Sequence, residues 1–168
     1  YPREEVSLVV RLLDALLNTH RQAQRLAKKM TWDLQKSEEA LRQATSRLSL
    51  AVRAGGVGIW EYDVASERLL WDDQMLRLYG LARGAFNGAY GVWKAGMHPD
   101  DRERIDDEVR LALRGEKDFD TEFRVLWPDQ TVRHIRGFAY VERDGDGQPL
   151  RMVGTNWDIT DRIAAEES

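Results

Sequence analysis

Cysteine is absent from the 168-residue sequence, which excludes disulfide bonds, thiolate metal sites and thiol nucleophiles. The absence is typical of proteins in a reducing compartment. An apolar run of about 18 to 20 residues, the length that crosses a bilayer, is also missing. Arg11 and Asp14 interrupt the best candidate, residues 6–17. The residues given therefore predict no membrane span.

A catalytic set is missing as well. Adjacent aspartates occur at positions 72–73, 100–101 and 106–107, but neighbouring side chains on a helix diverge, and helix starts or solvated faces explain each pair. His20, His98 and His134 do not have metal-ligand spacing. We predict no catalytic residues, no metal site and no enzymatic activity for these residues.

Neither charge sign dominates, and the formal net charge is −4. Such a balance gives no general attraction to nucleic acid or to anionic membranes, so we predict no nucleic-acid partner. Basic residues cluster at positions 21, 25, 28, 29 and 36. The cluster is typical of the cytoplasmic side of a membrane segment, and equally of a solvated helix face. A membrane contact is therefore expected only through a segment upstream of this chain.

A heptad repeat is the strongest feature present. Two series of residues seven apart form one narrow seam along a helix predicted from about residue 5 to about residue 50. The seam consists of Val6, Val9, Leu13, Leu16, His20, Ala23, Ala27, Met30, Leu34, Leu41 and Leu48. A single helix cannot bury such a seam on its own surface, so the repeat predicts a coiled-coil homodimer.

The alternative is an amphipathic helix folded back on its own domain. A helix of this length would measure roughly 65 to 70 Å at 1.5 Å per residue, which is too long for that arrangement. The middle of the seam, from His20 to Ala27, buries little apolar area, so we expect the coiled coil to rotate or shift register easily. Its parallel or antiparallel orientation stays open.

The rest of the chain alternates between strand and helix patterns. Glycines end the long helix near residue 55. Runs of β-branched and aromatic residues predict strands at 57–62, 68–71, 119–127, 131–142 and 150–159. Between the second and third strands, helix signals run from Asp72 to Gly80 and from His98 to Gly115, with a loop at 81–96. This order predicts an α+β fold with an antiparallel sheet covered on one face.

Residues from about 48 to 163 resemble a PAS domain. The motifs that carry the resemblance are Gly58-Ile59-Trp60-Glu61-Tyr62-Asp63, Tyr79-Gly80-Leu81, His98-Pro99-Asp100-Asp101 and Asp158-Ile159-Thr160. The resemblance implies a five-stranded antiparallel sheet that encloses a small cavity with its helices. We accordingly divide the chain into a coiled-coil signalling helix at 1–50, a PAS sensor domain at 51–160 and the start of an exit helix at 161–168.

The resemblance also implies that the chain comes from a receptor. Such domains are found in the cytoplasmic part of a bacterial sensor histidine kinase, diguanylate cyclase or phosphodiesterase, with the effector domain following in the same chain. The first residue is Tyr1 rather than Met, so we expect a piece of a longer protein. No residue pattern specifies the stimulus, the effector or the sign of the output.

The cofactors of such domains depend on particular residues. Covalent flavin photochemistry and a thioester chromophore both require cysteine, so both are excluded. Haem needs an axial ligand, most often a histidine on the buried face of the long helix of the domain. His98 lies instead at the first turn of that helix, so no haem is predicted. A non-covalent small ligand remains open.

An aromatic pocket with one guanidinium would suit such a ligand. The candidates to line it are Trp60, Met75, Tyr79, Tyr90, Trp93, Met97, His134 and Arg136. We favour the alternative that these aromatic side chains fill the core. Two hypotheses follow, a ligand-sensing module and a ligand-free dimerisation scaffold. In both, Asp158, Ile159 and Thr160 couple the last strand to the exit helix, with Asp158 or Thr160 capping that helix.

Overall fold

The computed structural model describes residues 2–168 and begins with one long helix. Helix α1 runs over Pro2–Ala54, 53 residues, or about 80 Å at 1.5 Å per residue. The predicted long helix is confirmed and continues a few residues beyond both expected ends. None of its described residues is buried. The chain divides into two units, of which the first ends at Ser49 and the second begins at Leu50.

A five-stranded antiparallel sheet forms the frame of the second unit. Its strands lie in the order β2-β1-β5-β4-β3. Their bounds are β1 Gly58–Asp63, β2 Arg68–Trp71, β3 Phe119–Leu126, β4 Val132–Arg143 and β5 Pro149–Asp158. Each lies within one residue of its predicted ends, because the alternating apolar pattern and the flanking turns are local signals.

Four shorter helices complete the fold. They are α2 Asp73–Leu78, α3 Tyr90–Gly96, α4 Pro99–Leu113 and α5 Thr160–Glu167. Met75, Trp93, Ile105 and Val109 from α2, α3 and α4 join the core against one face of the sheet. The predicted α+β class is therefore confirmed.

Helix α3 corrects the prediction of a loop over residues 81–96. The sequence signal is weak because Gly91 and Gly96 lower helix propensity and because Ala89, the N-cap, makes no side-chain hydrogen bond. Trp93 is buried against the core. Tertiary burial of this side chain therefore stabilises a helix that its own residues do not specify.

Candidate functional site

An aromatic cavity lies between the sheet and the helices that cover it. Its volume, measured with a water-sized sphere, is about 20 Å³, which holds roughly one water molecule. The residues that line it are Trp60, Tyr62, Leu69, Trp71, Met75, Tyr90, Trp93, Val109, Phe119, Phe123, Met152 and Asn156. Large side chains thus occupy most of the space that the fold encloses.

Two of the indoles near this cavity donate hydrogen bonds to neighbouring side chains. Trp60 Nε1 donates to Asn156 Oδ1 at 3.0 Å, and Trp93 Nε1 donates to Tyr79 Oη at 2.7 Å. Burial raises the pKa of Tyr79, so its hydroxyl stays protonated at neutral pH. These contacts fix the orientation of the Trp60 and Trp93 indoles, and they engage N–H groups that could otherwise bind a ligand.

Two glycines allow the large side chains to approach the sheet. A Cβ at Gly154 would lie 2.4 Å from Trp60 Cζ2, and one at Gly58 would lie 2.7 Å from Met75 Sδ. Gly58 opens the first motif of the sequence, so its role there is to admit the α2 methionine. The Trp60 and Met75 side chains consequently pack directly against the sheet backbone, and no space for a Cβ remains at either glycine.

A second polar contact ties α3 to α4 beside the cavity. Tyr90 Oη donates to Asp106 Oδ1 at 2.8 Å, and Lys94 Nζ lies 3.1 Å from Asp106 Oδ2. Burial, together with the hydrogen bond to Asp106, raises the pKa of Tyr90. Burial of Asp106 opposes ionisation, but these hydrogen bonds and the cations outweigh it and lower its pKa.

The structure separates the eight pocket candidates into three groups. Trp60, Met75, Tyr90 and Trp93 line the cavity. Tyr79 and Met97 are buried in the surrounding core without lining it. His134 and Arg136 do not reach it at all.

The placement of His134 and Arg136 corrects the sequence interpretation. Along β4 the buried positions are Ile135, Gly137 and Ala139, so the residues between them point to the opposite face of the sheet. There Arg136 donates to Asp120 Oδ1 at 2.8 Å and to Glu122 Oε1 at 3.2 Å. Its guanidinium is therefore paired on the outer face and is not offered to a carboxylate ligand inside.

The His98-Pro99-Asp100-Asp101 motif joins α4 to the sheet. His98 is the N-cap residue, and its Nδ1 accepts from the backbone N–H of Asp100 at 3.2 Å. Asp101 accepts the backbone N–H of Arg124 at 2.8 Å and receives two further hydrogen bonds from its guanidinium. Burial would raise the pKa of Asp101, but the hydrogen bonds from Arg124 outweigh it and hold the pKa below its usual value.

The predicted coupling residues lie where β5 passes into α5. Ile159 N–H donates to the His134 carbonyl at 2.8 Å, and His134 N–H donates to Thr160 Oγ1 at 2.9 Å. Asp158 Oδ1 accepts the N–H of Thr160 at 2.8 Å, and Asp158 Oδ2 accepts Arg133 Nε at 2.7 Å. The first turn of α5 is therefore hydrogen-bonded to β4 as well as continuous with β5.

These contacts correct the predicted cap. The N-cap residue of α5 is Ile159, whose side chain makes no capping hydrogen bond. Asp158, one residue earlier, binds the first N–H of the helix instead. Burial of Asp158 opposes ionisation, but its bonds to Thr160 and Arg133 outweigh that effect and lower its pKa.

An ion-pair cluster that the sequence analysis missed extends this junction. Glu122 Oε1 accepts Arg162 Nη2 of α5 at 2.7 Å and also Arg136 Nη1 of β4. Helix α5 thereby contacts β3, two strands away from the strand that it follows. Glu122 and Arg136 face each other in the β3–β4 register, whereas the contact with Arg162 depends on the direction in which α5 leaves the sheet.

The heptad residues lie in the first unit. The large apolar members of the seam, from Val6 to Leu48, are between 52% and 69% exposed. His20, Ala23 and Ala27 are exposed as well. The seam is thus an apolar stripe without a covering surface in the single chain.

Comparison with known families decides the identity of the second unit. A profile of the PAS fold matches residues 68–156, more than half of the chain. The chain belongs to the PAS family.

Two sequence relatives of this PAS protein are named as a diguanylate cyclase and a sensor protein. It is 32% identical over 129 residues to the Probable diguanylate cyclase DgcE of Escherichia coli strain K12. It is 29% identical over 111 residues to the Sensor protein FixL of Bradyrhizobium diazoefficiens. These matches cover 77% and 66% of this chain, which spans only 12% and 22% of the two relatives.

A solved structure shows the same PAS architecture. The sensory box histidine kinase/response regulator of Burkholderia thailandensis E264 superposes with a TM-score of 0.63 at 26% identity. The match covers 72% of this chain and 90% of that one. The second unit is therefore a PAS sensor domain of the kind found in histidine kinases and diguanylate cyclases.

The residues that the structure describes around the PAS cavity include no histidine, and His98 uses Nδ1 to cap α4. Within residues 2–168, no group of three or more histidine or carboxylate side chains is placed to hold a metal ion. No helix in the same range has the length and apolar character needed to cross a bilayer.

Proposed function

We propose that this chain is the sensory and signal-relay module of a cytoplasmic bacterial receptor. In this proposal, two copies associate through the seam of α1, and α5 passes a conformational change from the PAS domain to an effector that follows it. The effector is a histidine kinase or a cyclic-di-GMP enzyme, as in the relatives named above. The chain itself has no catalytic role and holds no resident cofactor.

The hydrogen-bonded junction between β4 and α5 is the observation that carries the relay. Three bonds join the strand pair to the first helical turn, through the backbone of Ile159, the Thr160 hydroxyl and the Asp158 carboxylate, and Arg133 of β4 holds that carboxylate in place. Each bond contributes about 1 kcal/mol, so a displacement of β4 that breaks one or two changes the α5 equilibrium by about tenfold. Bonds of this total strength hold α5 in one position on the sheet, and a movement of β4 is still able to break them.

The exposed seam of α1 supports the dimer. Leu13, Leu34 and Leu41 each keep more than half of their surface in water, at a cost of roughly 25 cal/mol per Å² of apolar area. Pairing with a second α1 removes this cost and aligns the two PAS domains of a receptor. The small residues around Ala23 and Ala27 weaken the middle of the pair and leave it able to rotate.

The size of the cavity favours a second candidate, a ligand-free dimerisation scaffold. A ligand transmits a signal only if it binds two states with different affinity, and a space for roughly one water molecule excludes most ligands from the state described here. Screening carboxylates, aromatics and lipids by thermal shift separates the two candidates. Stabilisation by a ligand supports sensing, and an unchanged melting temperature throughout supports the scaffold.

The relay is tested by Asp158→Ala in the full-length receptor. The substitution removes the bonds to Thr160 and Arg133, so we expect altered output while the PAS domain stays folded by circular dichroism. Asp161→Ala is the matched control, since Asp161 is an exposed neighbour in the first turn of α5. Equal output from the Asp158→Ala and unmodified receptors would rule out coupling through this junction.

A further inference from the structure

One face of α1 carries a concentrated positive charge around a single tryptophan. At about 100° per residue, all members lie within about 60° of Trp32. We call this the basic face, and it consists of Arg21, Arg25, Lys28, Lys29, Trp32 and Lys36. All six residues are exposed, and they extend over roughly 23 Å of helix.

The basic face lies opposite the heptad seam. Ala23 and Met30 of the seam are about 160° to 180° around the helix from Trp32. A partner helix on the seam therefore leaves the basic face in contact with solvent. The two surfaces are able to act independently, so a function of the basic face does not depend on the proposed dimer.

Acidic side chains are few on this part of the helix surface. Asp33, the acid between positions 21 and 36, lies about 100° from Trp32. Beyond Lys36 the next acid on the same side is Glu39, which pairs with Arg42 at 2.5 Å. Asp33 is a helix neighbour of Lys29 and Lys36, but no ion pair joins it to either lysine among the described residues, and the five cations outnumber this one acid.

The net charge of the whole chain hides this local excess. Residues 1–49 contain nine basic and six acidic side chains, whereas residues 50–168 contain 16 basic and 23 acidic ones. At physiological ionic strength, charges are screened beyond about 8 Å. An anionic surface in contact with the basic face therefore experiences the local charge and not the total of −4.

Trp32 identifies the kind of anionic surface. Its side chain is 55% exposed, with Lys36 Nζ 4.1 Å from the ring centroid. Tryptophan prefers the headgroup level of a bilayer, where its ring is half buried and its N–H stays wet. Lysine stems also lie along apolar surface while their ammonium groups stay in water. An indole among lysines matches a lipid headgroup layer better than a phosphate backbone, which offers no apolar zone.

We propose that the basic face is a docking surface for membranes that contain anionic phospholipids. The cations contact the headgroups, and Trp32 inserts at the level of the headgroups. Each lysine or arginine near such a surface contributes about fivefold to the partition coefficient. Binding is therefore sensitive to the anionic lipid content and to salt.

Vesicle co-sedimentation of the intact 168-residue chain tests the proposal. We expect binding to phosphatidylcholine vesicles only when they also contain phosphatidylglycerol, and release of the protein as salt is raised. The double variant Lys28→Glu/Lys29→Glu removes two cations and should weaken binding at least about 25-fold. Trp32→Ala should weaken it several-fold, and Trp32→Phe less.

The matched control is Arg114→Glu/Lys117→Glu. It makes the same change in net charge at two exposed side chains of the second unit and should leave binding unchanged. Circular dichroism confirms that each variant keeps its helix. Equal binding to neutral vesicles would implicate the apolar seam and overturn the proposal. Failure to bind anionic vesicles, or capture of RNA in their place, would overturn it too.

Discussion

Gly154 shows at the scale of one residue how closely the PAS core is built. The Trp60 indole lies against the bare backbone of Gly154, where any Cβ would fall 2.4 Å from Cζ2. The Trp60 Nε1 bond to Asn156 prevents the ring from moving away without losing a buried hydrogen bond. A substitution at this glycine therefore has to displace the ring or the strand.

We expect Gly154→Ala to lower the free energy of unfolding by about 1 to 3 kcal/mol through overpacking. Urea denaturation followed by tryptophan fluorescence measures the change. Gly145→Ala is the matched control, because a Cβ there meets no atom within 4 Å, and its stability should change little. Similar midpoints for the two variants would show that the Trp60–Gly154 contact is not tight.

At this scale the sequence predicts which residue types cluster but not which side of a strand they occupy. The sequence analysis names Trp60 and Trp93 among the aromatic residues expected to fill the core, and both are buried. The sequence misplaces His134 and Arg136 because the inner face of β4 includes Gly137, a residue without a side chain to mark that face. Asn156 is absent from the predicted pocket, although a strand asparagine is rare enough to signal a buried hydrogen-bond role.

Helices α4 and α5 are joined to the sheet by different kinds of contact at the scale of elements. Asp101 of α4 is a buried carboxylate, 7% exposed, with three bonds from Arg124. Glu122 binds Arg162 of α5 at half-exposed side chains, and pairs of that kind contribute at most about 1 kcal/mol. The α4 contact is therefore structural, and the Glu122–Arg162 contact of α5 is easily broken.

Asp101→Asn should lower the unfolding free energy at neutral pH by about 1.5 to 3 kcal/mol, the range for hydrogen bonds to charged groups. Because folding lowers the pKa of Asp101, its contribution is present above the ordinary pKa of about 4 and is lost as the pH falls through the folded value. When the pH is lowered from 5 to 3, about one unit either side of that pKa, the Asp101→Asn variant should therefore lose less unfolding free energy than the unmodified protein.

Denaturant titrations at several pH values provide this measurement. Asp100→Asn is the matched control, since the Asp100 side chain is 76% exposed. This substitution should change neither the unfolding free energy at neutral pH nor its dependence on pH by much. An Asp101→Asn variant as stable as the parent at neutral pH would contradict the assigned role of the motif.

The elements themselves are largely predictable because their signals are local. Alternation and turn residues define the five strands, and His98-Pro99 defines the start of α4. Helix α3 is not predictable, because burial of Trp93 stabilises it from outside the segment. The predicted cap of α5 is wrong by one residue, since the last strand continues to Asp158 before the helix begins.

At the scale of the whole molecule, an apolar stripe and a basic face lie on opposite sides of one helix. The heptad spacing predicts the stripe from sequence alone, because a single periodicity suffices to place residues on one side of a helix. The basic face is visible in the sequence as a cluster of charge. Its position opposite the stripe follows only once the helix is continuous from Pro2 to Ala54.

Association of two chains through α1 is measured by multi-angle light scattering at micromolar concentration. We expect a mass about twice the 19.4 kDa of one chain. Leu34→Asp in the seam should return the mass to 19.4 kDa, whereas the exposed off-seam control Gln35→Asp should not. A mass of 19.4 kDa for the unmodified chain at every concentration, or a dimer that Leu34→Asp leaves intact, would contradict pairing through the seam.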